Sequence, residues 1–344
     1  MNGNGSGGYS PVPQKFNRRK PDGTRKLMIG AVAVIAIAIA VFTFLIFAEI
    51  FGWFSDEPKD PITPPVSYKF EATEIEVGSG EYHKGDLILI NGNYPYVFPD
   101  TAPTVSSVRQ GRTEHGKSPS GNIIYSFYTQ NGEEKCAKLE TNTLLMLHKW
   151  ADDFYRATGN SDLFIFDADG YRTKEDQEKL YGANPAEYAV AGATEHHTGK
   201  VIDLYVYTVD KILGNMDDAR FAETFKWVYD NAYKYGFVLR YPSEKSDVTG
   251  VTYEPYHFRQ VGYAHAYYMQ RNNLCLEEYL DTLKKNYTAE NPLEINGDDR
   301  NKYMVYYIAA SSDSTTKLTV PSEYSYTVSG DNIGGFIITV NVDK

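Results

Sequence analysis

The sequence predicts an α+β fold, and three observations carry that prediction. Between about residues 136 and 288, stretches with apolar residues at helical spacing alternate with short apolar runs of strand length. On both sides, at 67–135 and 289–344, the pattern turns to short β-like runs cut by turn residues. Ahead of all of these stands one uninterrupted apolar run of membrane-spanning length. The expected architecture is an antiparallel sheet with flanking helices, flanked by small β-rich regions and preceded by a transmembrane helix.

Residues 1–26 are rich in Gly, Asn, Ser and Pro and then basic, the composition of a flexible tail. Residues 27–47 contain no charge, and a span over 27–48 matches the roughly 20 residues that cross a hydrocarbon core. Arg18, Arg19, Lys20, Arg25 and Lys26 precede the run, whereas Glu49, Asp56, Glu57 and Asp60 follow it. The positive-inside rule then keeps the N-terminus in the cytoplasm and puts the rest of the chain outside, with Trp53 at the outer interface. A cleaved signal peptide fits less well, because signal cores run to about 7–15 residues and end in small residues. Residues 49–66 are rich in Pro and Asp and read as a stiff spacer.

Strands are expected at 69–77, at 86–90 before Asn91-Gly92, and at 123–129 before Asn131-Gly132. The texture changes at Cys136. Leu144, Leu147, Trp150, Ala151 and Phe154 define a helix over 141–157 that Gly159 closes. Then come a strand at 163–166, a helix at 174–180, a strand at 201–207, a long helix at 217–235 closed by Gly236, and strands at 237–240 and 257–260. Helices at 263–271 and 276–286 follow, and strands return at 303–309, 324–328 and 336–342. No internal repeat is found.

Charge narrows the function. Residues 1–51 hold six of the 34 Lys+Arg and two of the 45 Asp+Glu, which leaves 28 basic against 43 acidic residues, a net −15, beyond them. A body so acidic lacks the footprint that nucleic acid requires. The 29 Tyr and 17 Phe suit sheet packing first and sugar stacking second. Cys136 and Cys275 form neither a metal knuckle nor a disulfide framework; one disulfide or two buried thiols both remain open.

Four pieces in the α+β region point to hydrolytic metal chemistry: Gly170-Tyr171-Arg172-Thr173, Thr194-Glu195-His196-His197-Thr198-Gly199, Asp203, and Glu254-Pro255-Tyr256-His257. Zinc in a hydrolytic site takes three N/O ligands and keeps a fourth position for water. His196 stands on a turn before a strand, Asp203 lies within that strand, and His257 opens another. An Asp among apolar strand residues needs a partner, and a metal is a good one. Glu254 would stand beside the ion, able to take a proton from the zinc-bound water and return it to the leaving amine. Arg172 offers a fixed cation for an oxyanion. The helical HExxH pattern is absent.

Together these pieces resemble the zinc D-alanyl-D-alanine carboxypeptidases of the vancomycin-resistance (VanY) type. That family reads roughly S-G-Y-R-S-x-x-x-Q, S-E-H-x-T-G-x-A-x-D, G-F-x-x-R-Y-P-x-x-K-x-x-x-T-G and E-P-W-H-x-R-x-V-G. The match also takes in Gln177, Gly236-Phe237, Arg240-Tyr241-Pro242, Lys245, Thr249-Gly250, Arg259 and Val261-Gly262, in order, over roughly residues 140–275. The resemblance implies His196, Asp203 and His257 as zinc ligands, Glu254 as general base and acid, and Arg172 helped by Gln177 as the group that holds the substrate. It implies further substrate contacts at Thr194 and Tyr256, and His197 as the less favoured alternative to His196.

The same resemblance makes peptidoglycan stem peptides the expected substrate and the outer face of the cell membrane the expected location. Thr194 and Asp169 stand where the family has Ser, Tyr256 where it has Trp, and Lys200-Val201-Ile202 before the Asp. None of these changes removes a ligand or the base. An L,D-carboxypeptidase acting on tetrapeptide stems and a non-catalytic wall-binding protein are the alternative readings. Ser314-Thr315-Thr316-Lys317 matches the S-x-x-K of serine peptidases, but it lacks a downstream K-T-G and lies between strands.

Overall fold

The helix that begins at Thr141 organises the body. Its amphipathic pattern holds over Thr141–Thr158 (α1), where the Glu140 carboxylate caps the first turn by accepting from the Asn142 and Thr143 amides. Gly159, at φ 70°, ends it in the left-handed conformation that favours glycine. Leu147, Trp150, Ala151 and Phe154 face inward and pack on Phe127, Leu163, Ile165, Val206, Phe237 and Phe258 of the neighbouring strands.

The computed structural model describes residues 70–132 and 134–343. The tail, the apolar run and the spacer lie outside the described residues. Among the described residues, no helix is long and apolar enough to cross a membrane. Ahead of α1 run β1 (Ala72–Gly78), β2 (Val105–Ser107), β3 (Glu114–Lys117), β4 (Ile123–Tyr125), β5 (Phe127–Thr129) and β6 (Lys138–Glu140). The body continues with β7 (Leu163–Ile165), α2 (Lys174–Ala183), β8 (Val201–Asp203), β9 (Tyr205–Tyr207), β10 (Leu213–Gly214), α3 (Ala222–Asn231), β11 (Phe237–Leu239), α4 (Ser246–Thr249) and β12 (His257–Gln260). It closes with α5 (Tyr263–Asn272) and α6 (Leu276–Asn286), and then β13 (Leu293–Asn296), β14 (Lys302–Ala309), β15 (Thr315–Pro321), β16 (Ser325–Gly330) and β17 (Gly335–Asn341).

Two small sheets serve the body, in the orders β10-β9-β7-β5 and β11-β12-β8. The expectation of antiparallel pairing holds except between β5 and β7, which run parallel. Strand pairing also crosses both expected domain boundaries. β5 comes before residue 136 yet belongs to a body sheet, and β1 pairs along its whole length with β15 near the C-terminus. The C-terminal sheet, ordered β13-β14-β17-β16, packs beside α5 and α6 through Leu276, Leu280, Leu283, Val305 and Ile337.

Several expected elements differ in the structure. The strand at 201–207 breaks at Leu204, whose amide turns away to the Tyr256 carbonyl, so that β8 and β9 join different sheets. The long helix at 217–235 is shorter. Asp218 instead accepts from the Phe221 and Ala222 amides in a turn, α3 starts at Ala222, and a 3₁₀ turn over Ala232–Tyr235 finishes the segment. Residues 86–90 form no strand; they are held by side chains, with Ser329 Oγ accepting from the Leu87 amide and Asn332 donating to the Leu89 carbonyl. β13 and β15 are additional strands, and β15 carries Thr315–Lys317 extended rather than at a helix start, which removes the serine-peptidase reading. Cys136 and Cys275 are separate buried thiols, the first beside Ser107 Oγ and the second at the start of α6.

His265 of α5 joins the two halves of this core, with Nδ1 2.7 Å from the Tyr279 hydroxyl and Nε2 3.0 Å from Thr339 Oγ1. Burial pushes its pKa down from 6.5 to about 4. Below about pH 6.5 the unfolded chain takes up a proton that the folded chain refuses. The stability contribution is therefore complete above that value and is lost as pH falls toward 4. Denaturation midpoints measured between pH 7 and pH 4.5, conditions chosen to bracket roughly that window, are expected to fall, and to fall less steeply in His265→Gln. Equal slopes in the two proteins would remove His265 from the acid response.

Candidate active site

The site grows from three backbone features. The first is the 3₁₀ turn Glu195–Thr198, started by the Thr194 hydroxyl, which accepts from the His196 amide, and ended by Gly199 at φ 70°. The second is β8, and the third is β12, paired antiparallel so that His257 lies directly opposite Asp203. Turn and ladder together bring His196, Asp203 and His257 into one buried cluster whose ligand atoms all lie within 4.8 Å of one another. His196 Nε2 is 3.3 Å from Asp203 Oδ2, and His257 Nδ1 is 3.0 Å from Asp203 Oδ1.

The orientation of each ring is set from behind. His196 Nδ1 lies 2.7 Å from the Gly170 carbonyl and so donates to it, which leaves Nε2 as the acceptor facing the cluster. Gly170 is needed there, because a Cβ would come within 2.4 Å of the Lys138 carbonyl. His197 points elsewhere: its Nδ1 meets the Arg172 carbonyl at 2.8 Å and its Nε2 accepts from the Gly192 amide. Adjacent in sequence, the two histidines therefore do different work, and only His196 joins the cluster.

These residues fit a zinc ion. Tetrahedral ligands about 2.0–2.1 Å from zinc stand roughly 3.3–3.5 Å apart, close to the spacings seen here. Asp203 Oδ1 is buried, and although His257 Nδ1 lies 3.0 Å away their geometry is not that of a hydrogen bond, which leaves the oxygen unsatisfied among the described residues, a cost that an ion would relieve. Burial pushes His196 down to about 4, and this keeps the imidazole neutral, as ligation requires. Burial works against the charge on Asp203, but the two imidazoles outweigh it and hold the carboxyl well below the usual range.

Glu254 and Arg172 flank the cluster. Glu254 Oε2 is 3.5 Å from His257 Nδ1, and burial raises its pKa, the direction that suits a proton carrier near neutrality. Arg172 is pinned by donating from Nε to the Ala168 carbonyl (2.6 Å) and from Nη1 to Gln177 Oε1 (3.3 Å), which leaves Nη2 3.7 Å from Asp203. Gln177 is fully buried and also donates to the Ala189 carbonyl, so it reaches the site through Arg172. Thr194 spends its hydroxyl on the turn, and Tyr256 lies flat against Tyr205 with ring centres 5.0 Å apart. The arrangement can polarise a carbonyl, move a proton and hold an anion within one cleft.

One residue escaped the sequence reading of roles. Glu195 is buried, with Oε1 accepting from Arg240 Nε at 2.9 Å and lying 3.3 Å from Arg259 Nη1. Its other oxygen faces His257 Nε2 at 3.8 Å. Burial alone would raise its pKa; the two guanidiniums reverse that and hold it ionised. The available signal was Arg259 in the otherwise uncharged run His257–Gln260, since a buried cation needs a counter-charge.

The profile of the VanY family, described as D-alanyl-D-alanine carboxypeptidase, matches residues 146–263, and this interval contains every residue named above as ligand, base or cation. A D-alanyl-D-alanine carboxypeptidase of Enterococcus faecium is 35% identical over 272 residues, 78% of each chain. The bifunctional D-Ala-D-Ala dipeptidase and carboxypeptidase VanXYC of Enterococcus gallinarum is 36% identical over 141 residues, 37% of this chain and 72% of that protein. Among solved structures, the vancomycin-resistance D,D-dipeptidase VanXYg in complex with a D-Ala-D-Ala phosphinate analogue superposes with a TM-score of 0.62 at 25% identity, covering 79% of this chain and 99% of that one. The match to the Enterococcus faecium enzyme is more than twice as long as the interval that the family profile covers. The chain belongs to the VanY-type D-alanyl-D-alanine carboxypeptidases, and it is a peptidase.

Proposed function

We propose that this enzyme removes the terminal D-alanine from peptidoglycan stem peptides, with His196, Asp203 and His257 holding zinc and Glu254 acting as general base and acid. The observation that carries the reading is the buried triangle of the first three with the Glu254 carboxylate beside it. Bound there, zinc would supply Lewis acidity, which lowers the pKa of water and polarises a carbonyl. Glu254, its pKa raised by burial, takes a proton from the attacking water and passes it to the leaving amine. Arg172 turns its remaining donors toward the substrate oxyanion or terminal carboxylate. The stacked Tyr256 forms a wall of the cleft. The phosphinate analogue held by the related D,D-dipeptidase supports a D-Ala-D-Ala substrate here.

We also propose that the uncharged run at 27–47 anchors the enzyme with its N-terminus inside the cell and its catalytic body outside, where the substrate is. The basic flank before the run and the acidic flank after it support that orientation. Protease added to intact cells is then expected to degrade an epitope at the C-terminus and spare one at the N-terminus. Recovery of the whole chain in the soluble fraction would sink the anchor.

Three measurements test the site. Zinc content after dialysis is expected to be lost in His196→Ala, Asp203→Asn and His257→Ala but kept in His197→Gln; retention in the first three would overturn the ligand set. Glu254→Ala is expected to keep its zinc while kcat falls by about 10²–10⁴-fold, and a normal rate in that variant would remove the base assignment. Mass spectrometry of pentapeptide and tetrapeptide muropeptides treated in parallel is expected to show D-alanine lost from the pentapeptide. Loss from the tetrapeptide alone would make the enzyme an L,D-carboxypeptidase.

A further inference from the structure

The β10-β9-β7-β5 sheet buries one face against α1 and leaves the other half-exposed, and that outer face is aromatic. Alternation along the strands sends Phe127, Leu163, Ile165 and Val206 into the core. Tyr128, Phe164, Tyr205, Tyr207 and Leu213 go to the other side, where Phe166 joins them just past β7. Register sets these residues side by side: Tyr128 is paired with Phe164, Phe164 with Tyr205, and Tyr207 with Leu213. Ring centres follow one another at close to 5 Å, from Phe164 to Tyr207 (5.1 Å), Phe164 to Phe166 (5.0 Å) and Phe166 to Tyr205 (5.3 Å). Tyr128, Tyr207 and Leu213 keep 37%, 39% and 49% of their surface exposed. A contiguous exposed aromatic face of this kind is a candidate binding surface.

The stripe runs into the catalytic cleft. Tyr205 lies stacked under Tyr256 at 5.0 Å and 22°, and Tyr256 directly precedes His257. Along the chain, Tyr207 is four residues beyond Asp203, past the break at Leu204, so the backbone between them spans at most about 13 Å. Four extended residues, the part of a pentapeptide stem upstream of the bond cut, also span about 13 Å. A stem laid outward from the site past Tyr205 is therefore long enough to bring its sugar-bearing end to the Tyr207–Phe164 pair.

We propose that this aromatic face is a subsite for the glycan of peptidoglycan, which would stack the apolar faces of its N-acetylated sugars on Tyr207, Phe164 and Tyr205. The proposal rests on the stem-peptide reading of the catalytic site. Its chemistry favours a neutral sugar over other occupants. The four strands carry no charged residue, and tyrosine offers a flat apolar ring with a hydroxyl at its edge. An anionic lipid surface suits it less, because the chain beyond residue 51 carries a net −15.

The test compares the zinc-loaded full chain on disaccharide-pentapeptide and on sugar-free pentapeptide. Wild type is expected to favour the sugar-bearing substrate in kcat/KM by roughly fivefold to tenfold, through KM. Tyr207→Ala should erase that preference while changing hydrolysis of the free pentapeptide less than about twofold, and Tyr207→Trp should retain it. No preference in wild type, or equal losses on both substrates in Tyr207→Ala, would overturn the subsite. Saturation-transfer NMR with GlcNAc-MurNAc oligomers whose lactyl carboxyl is capped as a neutral amide reads the subsite without hydrolysis. Binding that Tyr207→Ala abolishes supports the proposal even if no D-alanine is released, a result that would count against the catalytic reading alone. No oligomer binding overturns the proposal even if D-alanine is released. A dimer that Tyr207→Ala dissociates, or vesicle binding that it abolishes, would assign the face to another occupant and overturn the proposal as well.

Discussion

The buried Glu195 carboxylate is the joint on which the catalytic geometry depends. It stands in the turn that carries His196, accepts from Arg240 just after β11, and faces Arg259 within β12. Arg240 continues as a bidentate pair to Glu277 at the start of α6, and Arg259 donates to the Asp86 carbonyl of the segment ahead of the body. One anion therefore ties together two strands, a helix, the His196 turn and the N-terminal segment. Removing one partner from such a cluster costs about 3–5 kcal/mol, because the remaining charge stays buried and unpaired. An apolar cluster of the same volume would stabilise the fold as well or better. What an ionised carboxylate adds is a negative charge 3.8 Å behind His257 Nε2, while Nδ1 of the same ring lies 3.0 Å from Asp203 Oδ1.

Around that joint the environment separates carboxylates by role. Asp203 is buried but lies between two imidazoles, which hold it charged and fit to bind a cation. Burial moves Glu254 the other way, and neighbouring Asp203 and Glu195 add to the rise even though His257 opposes it. Two neighbouring acids thus acquire opposite tendencies, one to stay ionised and one to hold its proton more readily, which is the separation that the proposed roles of ligand and base require. Arg172 serves both by being immobile. Its Nε and Nη1 are committed to Ala168 and Gln177, so its charge cannot swing away when a substrate leaves.

The legible part of this molecule was the part written in local chemistry. Helices with a strong apolar stripe and a glycine stop, such as α1, declare themselves because both signals act within a few turns of chain. The residues that the structure gathers around Asp203 were singled out by motif pieces whose order and spacing resemble the VanY family. What stayed hidden depends on distant partners. β15 is polar and alternates weakly, and it becomes a strand because β1, more than two hundred residues earlier, supplies its ladder. Residues 86–90 look like a strand by composition, but they are held by Ser329 and Asn332 side chains that no local pattern announces. Glu195 was in plain view beside His196. Its role required knowing that Arg240 and Arg259, 45 and 64 positions away, converge on it.

The break at Leu204 shows how little backbone is needed to couple these levels. A continuous strand over 201–207 would keep Asp203 and Tyr205 on one face, since their positions differ by two. Instead the Leu204 amide pairs with the Tyr256 carbonyl, and the chain passes from the sheet of β12 to the sheet of β7 between these two residues. Asp203 thereby joins His196 and His257 while Tyr205 opens onto the aromatic face. The same hydrogen bond holds Tyr256 against Tyr205, next to His257 of the buried triangle. Catalytic cluster and aromatic stripe are thus neighbours by construction, joined through one residue whose side chain takes part in neither.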